Sequence, residues 1–385
     1  MMADLDGSSI IGAAQVGSTY GYGLIWLFLA LVVPLYVIQE VSGRVGVVTE
    51  KGLGELAREK FGRKLAAIVS LPMFATDVAT YVVEYLSVGI ALEVLGIPLY
   101  VGVPLAYLLH LFVVVKRGYV QAEKALLGIS FAFVLTIVVT AALRGNASSG
   151  LFLLSTSKDY VLLVASSVGA VIMPFMLFFQ ASATAEKVVS LRVPEAKVPE
   201  ECKVRSFLRQ MRTETLVGAI VSEVIMALIE MAFTGTETSG DTFASGKALA
   251  EALSAVAGGL APYVFALGLS SAAFLALVVI SLGSAWGVAE ALGLGRQRAT
   301  LIYVLESLPA LAFALLLPAE NLMVYVLQIL ALFTVILAGP LVVLGLIARD
   351  ERIMGDFRLR GWNEVAYWGF GALVVGTGVV ALIYG

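Results

Sequence analysis

The chain has 385 residues, of which 60% are hydrophobic and 14% are charged, and its formal net charge is −3. Soluble domains carry about 25% charged residues, so this composition excludes a typical soluble enzyme and indicates an integral membrane protein. The single cysteine and single histidine exclude an internal disulfide and any metal site built from several cysteines or histidines. We therefore expect one transmembrane domain over residues 1–385, with no enzymatic activity and no nucleic-acid partner.

Hydropathy along the chain predicts eleven membrane spans. The first of them is too short for a full crossing, which needs about 20 apolar residues. The predicted spans are 7–18, 22–41, 65–95, 98–115, 125–143, 160–181, 216–234, 263–292, 300–317, 322–347 and 365–384.

The basic residues are segregated between alternate loops. All but three of the 25 Lys and Arg residues follow even-numbered spans, and the exceptions are Arg144, Lys158 and Lys247. Because cytoplasmic loops carry an excess of basic residues, the N-terminus is predicted to be cytoplasmic and the C-terminus extracellular. The protein is thus expected in the cell membrane, with a cytoplasmic loop at 190–212 and an extracellular loop with a short helix at 236–258.

The sixth predicted span contains a proline, Pro174, where a transmembrane helix should be continuous. Proline removes one backbone hydrogen bond and clashes with the preceding turn. In hydrocarbon the freed backbone groups are tolerated only beside protein or a water-filled cavity, and many secondary transporters build their substrate site at such a break. The adjacent Met173 either packs in the core or supplies a soft thioether ligand at this point.

Three polar residues, Asp6, Ser8 and Ser9, stand at the start of the first apolar segment. On their own they are typical of a helix cap, because their side chains accept hydrogen bonds from free N–H groups. In transporters built from two inverted five-span repeats, however, spans one and six are both broken at one site. The irregular start of span one and the break in span six therefore favour a shared site.

Several short motifs resemble, in their order and spacing, those of the NRAMP family of divalent-metal transporters. Residues 6–9, Asp-Gly-Ser-Ser, fall on the family's Asp-Pro-Gly-Asn metal motif, and Ala170 with residues 173–174 falls on its Ala-x-x-Met-Pro motif. The likeness covers nearly the whole chain. Its other segments are 17–22, 24–26, 39–52 and 350–355.

The resemblance implies an all-α integral membrane protein of the LeuT-like type, with two inverted five-span repeats, broken spans one and six, and an added eleventh span. It also implies a secondary transporter that moves divalent cations of the Mn²⁺ and Fe²⁺ class by alternating access, with the metal as substrate and no separate cofactor. A thioether ligand disfavours strongly hydrated Mg²⁺ and Ca²⁺ relative to these ions. The implied metal-binding residues are Asp6, Ser9, Ala170 through its carbonyl, and Met173. Gln328 is a polar residue in the apolar tenth span, and it either faces the ion as a further metal ligand or bonds a neighbouring helix.

The sequence departs from the family pattern at several positions in or near the two motifs. Gly7 replaces the motif proline, Ser9 replaces the asparagine, and Phe175 and Gln180 replace two histidines of span six. Histidine exchanges protons most readily near neutral pH, so proton coupling is expected to be weak or absent. The family's half-helix before the motif aspartate has no counterpart here, so the first half of span one is expected to be missing, through a late assigned start or a site open inwards. Together these departures indicate a divergent branch, which includes relatives that move Mg²⁺.

One face of the third predicted span carries Asp77, Tyr81 and Glu84. Carboxylates buried in a membrane are costly unless they are functional or paired. Asp77 and Glu84 therefore belong to a proton pathway, form a structural ion pair or lie at the membrane interface. The resemblance places Glu84 on the family's third-span glutamate of the proton route, whereas Asp77 is one turn away from the family's aspartate, whose position is Tyr81 here.

Two other substrates stay open at this point: Mg²⁺, moved by NRAMP-related proteins, and an amino acid or other organic solute moved by a symporter of the same fold. Asp6 argues against the second, because its charge would repel a substrate carboxylate. The expected partners are the divalent ion, the lipid bilayer and protons, for a monomeric protein. The single histidine, His110, near the end of the fourth span, is expected at the membrane interface.

Overall fold

A computed structural model describes residues 6–116, 134, 137–138, 141, 150–190, 200–235, 245–257, 259–294, 298–317 and 322–384. Every regular element in these ranges is a helix. The predicted fifth span, 125–143, lies almost entirely outside the described residues, as does 191–199 of the predicted cytoplasmic loop.

The helices follow the predicted spans, with three additional short helices, α3, α9 and α14, on the connecting segments. They are α1 Gly7–Tyr20, α2 Ile25–Thr49, α3 Leu53–Phe61, α4 Arg63–Val94, α5 Leu99–Lys116, α6 Lys158–Val171, α7 Pro174–Ser190, α8 Glu200–Phe233, α9 Gly246–Ala257, α10 Ala261–Leu292, α11 Ala299–Leu316, α12 Leu322–Ile336, α13 Ala338–Ala348, α14 Glu351–Met354 and α15 Trp362–Tyr384.

Eight helical stretches in the described part of the chain are long and apolar enough to cross a membrane, and Leu99–Val115 is a shorter apolar helix. The chain is therefore a multi-pass membrane protein. The predicted extracellular segment 236–258 contains a short helix, α9. The predicted loop 190–212 is different, because α8 is already helical from Glu200.

The centre of the bundle is α10, which packs most extensively against α4. In its most apolar stretch 83% of the residues are buried, compared with 28% for α15 at the periphery. The helices α6 and α12 also pack closely, because Gly169 has no side chain. A Cβ atom at this position would lie 1.8 Å from the carbonyl oxygen of Leu330. The close approach of the two helices at Gly169 lies near the end of α6, next to the predicted break.

Ion pairs connect the helices at the end of the bundle that carries most of the basic residues. Arg44 and Arg212 bind the Glu40 carboxylate at 2.5 and 2.7 Å, joining α2 to α8. Lys60 of α3 binds Asp350 at 2.6 Å, and this hydrogen bond lowers the pKa of Asp350 below its ordinary value. The first contacts join two membrane helices through the buried side chains of Glu40 and Arg44, and the second ties α3 to the start of α14.

Candidate metal site

Asp6 caps the N-terminus of α1 with one of its two carboxylate oxygens. Oδ1 accepts hydrogen bonds from the Ser9 backbone N–H at 2.6 Å and from the Ser8 hydroxyl at 2.8 Å. Such a cap satisfies N–H groups that have no partner inside the helix. The other oxygen, Oδ2, is buried and has no hydrogen-bond partner among the described residues. One oxygen thus fixes the side chain, and the other is left available to a ligand.

The carboxylate of Glu84, on α4, meets the same helix start. Its Oε2 accepts from the Gly7 N–H at 2.8 Å, and its Oε1 accepts from the Ser8 N–H at 3.1 Å. The charges of Glu84 and Asp6 also lie close enough to interact. Two fully buried carboxylates therefore share one helix N-terminus, whose dipole favours negative charge.

The glycine at position 7, where the family motif has proline, fits this arrangement. Proline has no N–H, so it could not make the hydrogen bond that Gly7 donates to Glu84. A Cβ atom on Gly7 would lie 2.6 Å from Ser87 Oγ and 2.8 Å from Glu84 Oε2. The departure from the motif therefore supplies both a donor and the space for a close approach between α1 and α4.

The predicted break in span six is present. α6 ends at Val171, Ile172 leaves the helical conformation with φ −127° and ψ 87°, and α7 begins at Pro174. Met173 lies between the two helices and is fully buried. The last carbonyls of α6 have few partners within their own helix, so they are available to other groups.

A side-chain contact joins the start of α1 to the end of α6. The Ser9 hydroxyl donates to the Ala170 carbonyl oxygen at 3.3 Å. Asp6, Ser9 and Ala170 are therefore brought together, and Met173 follows three residues after Ala170. This arrangement gathers an anionic oxygen, a hydroxyl and a carbonyl beside a break that also carries a thioether. Oxygen ligands suit hard divalent cations, and the thioether suits softer ones.

Gln328 is not part of this group. Its side chain is exposed on α12, whereas its neighbours Val326, Leu327, Leu330 and Ala331 form the buried face of that helix. With 3.6 residues per turn, position 328 points away from that face. A single polar residue in an apolar run does not show which way its side chain points. The sequence alone therefore did not exclude Gln328 as a metal ligand.

Asp77 and Glu84 are both fully buried on α4, but they belong to different clusters. Glu84 binds the start of α1, as described above. Asp77 instead faces α10 and α11, where its charge interacts with that of Glu306 and where Ser284 lies beside it. Asp77 and Glu84, predicted as a pair on one helical face, therefore belong to two separate clusters and are seven residues apart in sequence.

Glu306, which is fully buried in α11, was not predicted as a site residue from the sequence. The rule that singled out Asp77, an acidic residue inside an apolar span, would have identified it as well.

The expectation for His110 was wrong. It is fully buried between helices, with Nδ1 2.9 Å from the Tyr85 hydroxyl and Nε2 2.7 Å from the Ser281 hydroxyl. Hydropathy places a residue along a span, but it does not show which neighbours satisfy the polar atoms.

Comparisons with known proteins agree with this architecture. The sequence matches the family model of natural resistance-associated macrophage protein-like proteins over residues 1–384. The divalent metal cation transporter MntH of Bacillus subtilis (strain 168) is 28% identical over 204 residues, which are 51% of this chain and 48% of that relative. The matched part thus spans about half the length of that relative.

Two solved structures share the fold. A manganese transporter from Eremococcus coleocola superposes with a TM-score of 0.79 at 17% identity, covering 98% of this chain and 83% of the other. Mhp1, a nucleobase-cation-symport-1 family transporter, superposes with a TM-score of 0.57 at 12% identity, covering 100% of this chain and 89% of the other. These similarities confirm the predicted all-α, LeuT-like membrane fold. Because the family model matches almost the entire sequence, this chain belongs to the natural resistance-associated macrophage protein-like family, which is the NRAMP family that its motifs resemble.

Proposed function

We propose that this protein is a secondary transporter that moves divalent metal cations of the Mn²⁺ and Fe²⁺ class across the cytoplasmic membrane by alternating access. The observation that carries the proposal is the free oxygen of Asp6. Oδ2 is buried and without a hydrogen-bond partner among the described residues, at the point where Ser9 contacts Ala170 beside the helix break. An anionic oxygen in such a position needs a positive partner.

The charge at this place favours a cation over an organic substrate with a carboxylate. Asp6 and Glu84 contribute two buried carboxylates near the start of α1. In carriers for amino acids of this fold, the substrate carboxylate binds at half-helix N-termini. Here that position is already occupied by the protein's own acidic side chains. An amino-acid symporter is therefore the weaker alternative.

The proposed class of metal depends on Met173. Its thioether is buried at the break, three residues from the Ala170 carbonyl. Soft ligands favour Mn²⁺, Fe²⁺ and their neighbours over strongly hydrated Mg²⁺. The names of the relatives, a divalent metal cation transporter and a manganese transporter, support the same class. Mg²⁺ is the second candidate, because the other three proposed ligands are oxygens.

Proton coupling is proposed to be weak or absent. Both oxygens of Glu84 accept backbone N–H groups of α1, so this side chain is engaged in holding the helix start. The single histidine is bound by Tyr85 and Ser281, in a different place from the break. Asp6 and Asp77 are the other candidates for carrying a proton. We propose that transport runs mainly down the metal gradient.

The proposed orientation has a cytoplasmic N-terminus and an extracellular C-terminus, because the basic residues gather in alternate loops. We propose that the protein works as a monomer in the lipid bilayer, with the metal ion as its substrate and without a resident cofactor.

The proposal is tested by metal uptake into proteoliposomes, with Mn²⁺, Fe²⁺, Mg²⁺ and Ca²⁺ offered separately. Asp6→Asn keeps an oxygen at the site but removes its charge, so Mn²⁺ uptake should fall at least about tenfold, the equivalent of about 1.4 kcal/mol. Asp159→Asn, which changes an exposed acid at the start of α6, serves as the control. Equal Mn²⁺ uptake by the wild type and Asp6→Asn would refute the proposed site.

The same liposomes report coupling through a pH-sensitive dye in their interior. Internal pH should change little as Mn²⁺ enters. Acidification in step with metal entry, lost in Glu84→Gln, would show that protons are coupled through that residue. Faster uptake of Mg²⁺ than of Mn²⁺ would favour the Mg²⁺ alternative.

A further inference from the structure

A second group of buried oxygen atoms lies where α4, α10 and α11 meet. Each helix supplies one side chain, Asp77, Ser284 and Glu306, and all three are fully buried. The Ser284 hydroxyl donates to Glu306 Oε1 at 2.5 Å. It also lies beside Asp77, and the charges of the two acids interact. Three helices that form the centre of the bundle thus converge on two carboxylates.

These carboxylates have too few hydrogen-bond donors. Neither oxygen of Asp77 and only one oxygen of Glu306 has a hydrogen-bond partner among the described residues. Neither acid forms a salt bridge with a basic side chain in that part of the chain. Buried polar atoms in folded proteins are almost always paired, so unpaired carboxylate oxygens from two helices point to a missing positive partner.

The single histidine of the chain does not provide that positive partner. Both ring nitrogens of His110 are engaged, one by the Tyr85 hydroxyl and the other by the Ser281 hydroxyl. Tyr81 donates to the same Ser281 hydroxyl at 3.1 Å, and its own oxygen also lies beside Glu306. The surroundings of the two acids therefore offer neutral oxygen atoms and no cationic group among the described residues.

We propose that Asp77, Glu306 and Ser284 bind a second cation, a hard divalent ion of the Mg²⁺ and Ca²⁺ class, at a site separate from the helix break. The ligands are all oxygens, which this class prefers. Two carboxylates match a charge of +2, so the filled site is neutral. None of the three proposed ligand atoms is a sulfur or nitrogen that would favour a softer metal, in contrast to the thioether of Met173 at the break.

The two sites are distinct along α4. Asp77 and Glu84 are seven residues apart, which corresponds to about 10 Å along a helix axis. Tyr81 lies between them and is fully buried. The second ion therefore joins α4, α10 and α11, whereas the transported ion is proposed to lie between α1 and the α6–α7 break.

The test measures Ca²⁺ and Mg²⁺ binding to the purified full-length protein by isothermal titration calorimetry. The Asp6→Asn variant removes the charge at the break, so binding that persists in it reports the second site. We expect about one equivalent of Ca²⁺ or Mg²⁺ to bind Asp6→Asn. The affinity should fall more than tenfold when Asp77→Asn or Glu306→Gln is added, and less when Ser284→Ala is added.

Glu230→Gln is the matched control, because Glu230 is a fully buried acid of α8 that binds the Leu24 N–H at 2.8 Å, outside both sites. It should leave binding in the Asp6→Asn background unchanged. Size-exclusion chromatography checks that each variant is folded. If Asp77→Asn or Glu306→Gln does not fold, the smaller loss of affinity expected for Ser284→Ala still tests the proposed site.

Three results would overturn the proposal. The first is the absence of divalent binding to Asp6→Asn, and the second is equal binding with and without Asp77 and Glu306. The third is an infrared carboxylic-acid band that disappears in Glu306→Gln and is unaffected by Ca²⁺, because the two acids would then share a proton instead of a metal. None of these results depends on Mn²⁺ transport, since binding is measured without the Asp6 charge.

Discussion

The two acidic clusters that include α4 differ in the number of hydrogen-bond donors around their carboxylates, although the same helix supplies one acid to each. At the first cluster, the start of α1 gives two N–H groups to Glu84, and two further donors bind Asp6 Oδ1. At the second, a single hydroxyl, that of Ser284, binds Glu306, and Asp77 has no donor among the described residues.

The difference shows how the same residue type acquires different roles in a membrane protein. A helix N-terminus compensates a carboxylate with aligned N–H groups, so the first cluster is held in place and leaves one oxygen of Asp6 free. Three packed helix sides offer no such backbone groups, since those are already used within the helices. A carboxylate pair there depends on a ligand for its compensation.

The largest expected effect comes from closing the space between α1 and α4. Gly7→Ala places a Cβ atom 2.6 Å from Ser87 Oγ and 2.8 Å from Glu84 Oε2, so the start of α1 must shift. Because this start carries Asp6 and Ser9, we expect Mn²⁺ uptake in proteoliposomes to fall more than about tenfold.

The control for this variant is Gly12→Ala on the same helix, where the nearest atom to the new Cβ is Leu330 Cδ1 at an ordinary 3.7 Å. Its uptake should stay within about twofold of the wild type. Similar losses in both variants would mean that α1 tolerates no added side chain at all, and the role given to Glu84 would lose its support.

A smaller effect is expected on stability, and here the two clusters should respond differently. Glu84→Gln replaces a charged acceptor of two N–H groups by a neutral amide, which should cost about 2 kcal/mol. Asp77→Asn removes an uncompensated charge, so in metal-free protein it should leave thermal stability unchanged or raise it. Melting temperatures measured in detergent with a chelator present decide this point. Equal losses in the two variants would contradict the contrast between the clusters.

The smallest expected effect concerns the choice of metal at the break. Met173→Ala removes the thioether, and the Mn²⁺-to-Mg²⁺ uptake ratio should fall about fivefold, which corresponds to about 1 kcal/mol. Met176→Ala, which truncates another buried methionine one turn away on α7, is the control and should not change the ratio. If both variants leave the ratio unaltered, Met173 is a packing residue.

The sequence was sufficient for those features that depend on hydropathy and on local motifs. The spans, the break before Pro174, the cap at Asp6 and the short helix α9 all follow from apolar length, proline chemistry and capping. The architecture of inverted five-span repeats added the pairing of the first and sixth spans, and the Ser9–Ala170 contact agrees with it.

Features that depend on the direction of side chains in three dimensions could not be predicted from the sequence. Gln328 faces outward because its helix buries a different side, and His110 is buried because Tyr85 and Ser281 satisfy both of its nitrogens. The partner of Asp77 lies on a helix more than two hundred residues later in the chain. Periodicity within one span does not show which distant helix packs against it.

The central claim is that a transition-metal ion binds between the start of α1 and the α6–α7 break. Anomalous X-ray diffraction from crystals soaked in Mn²⁺ tests it most directly, because the anomalous signal identifies the ion and its position. The account predicts a strong peak within coordination distance of Asp6 Oδ2 and the Ala170 carbonyl oxygen, and no such peak in Asp6→Asn. A strong peak between Asp77 and Glu306, with the position beside Asp6 empty, would contradict it.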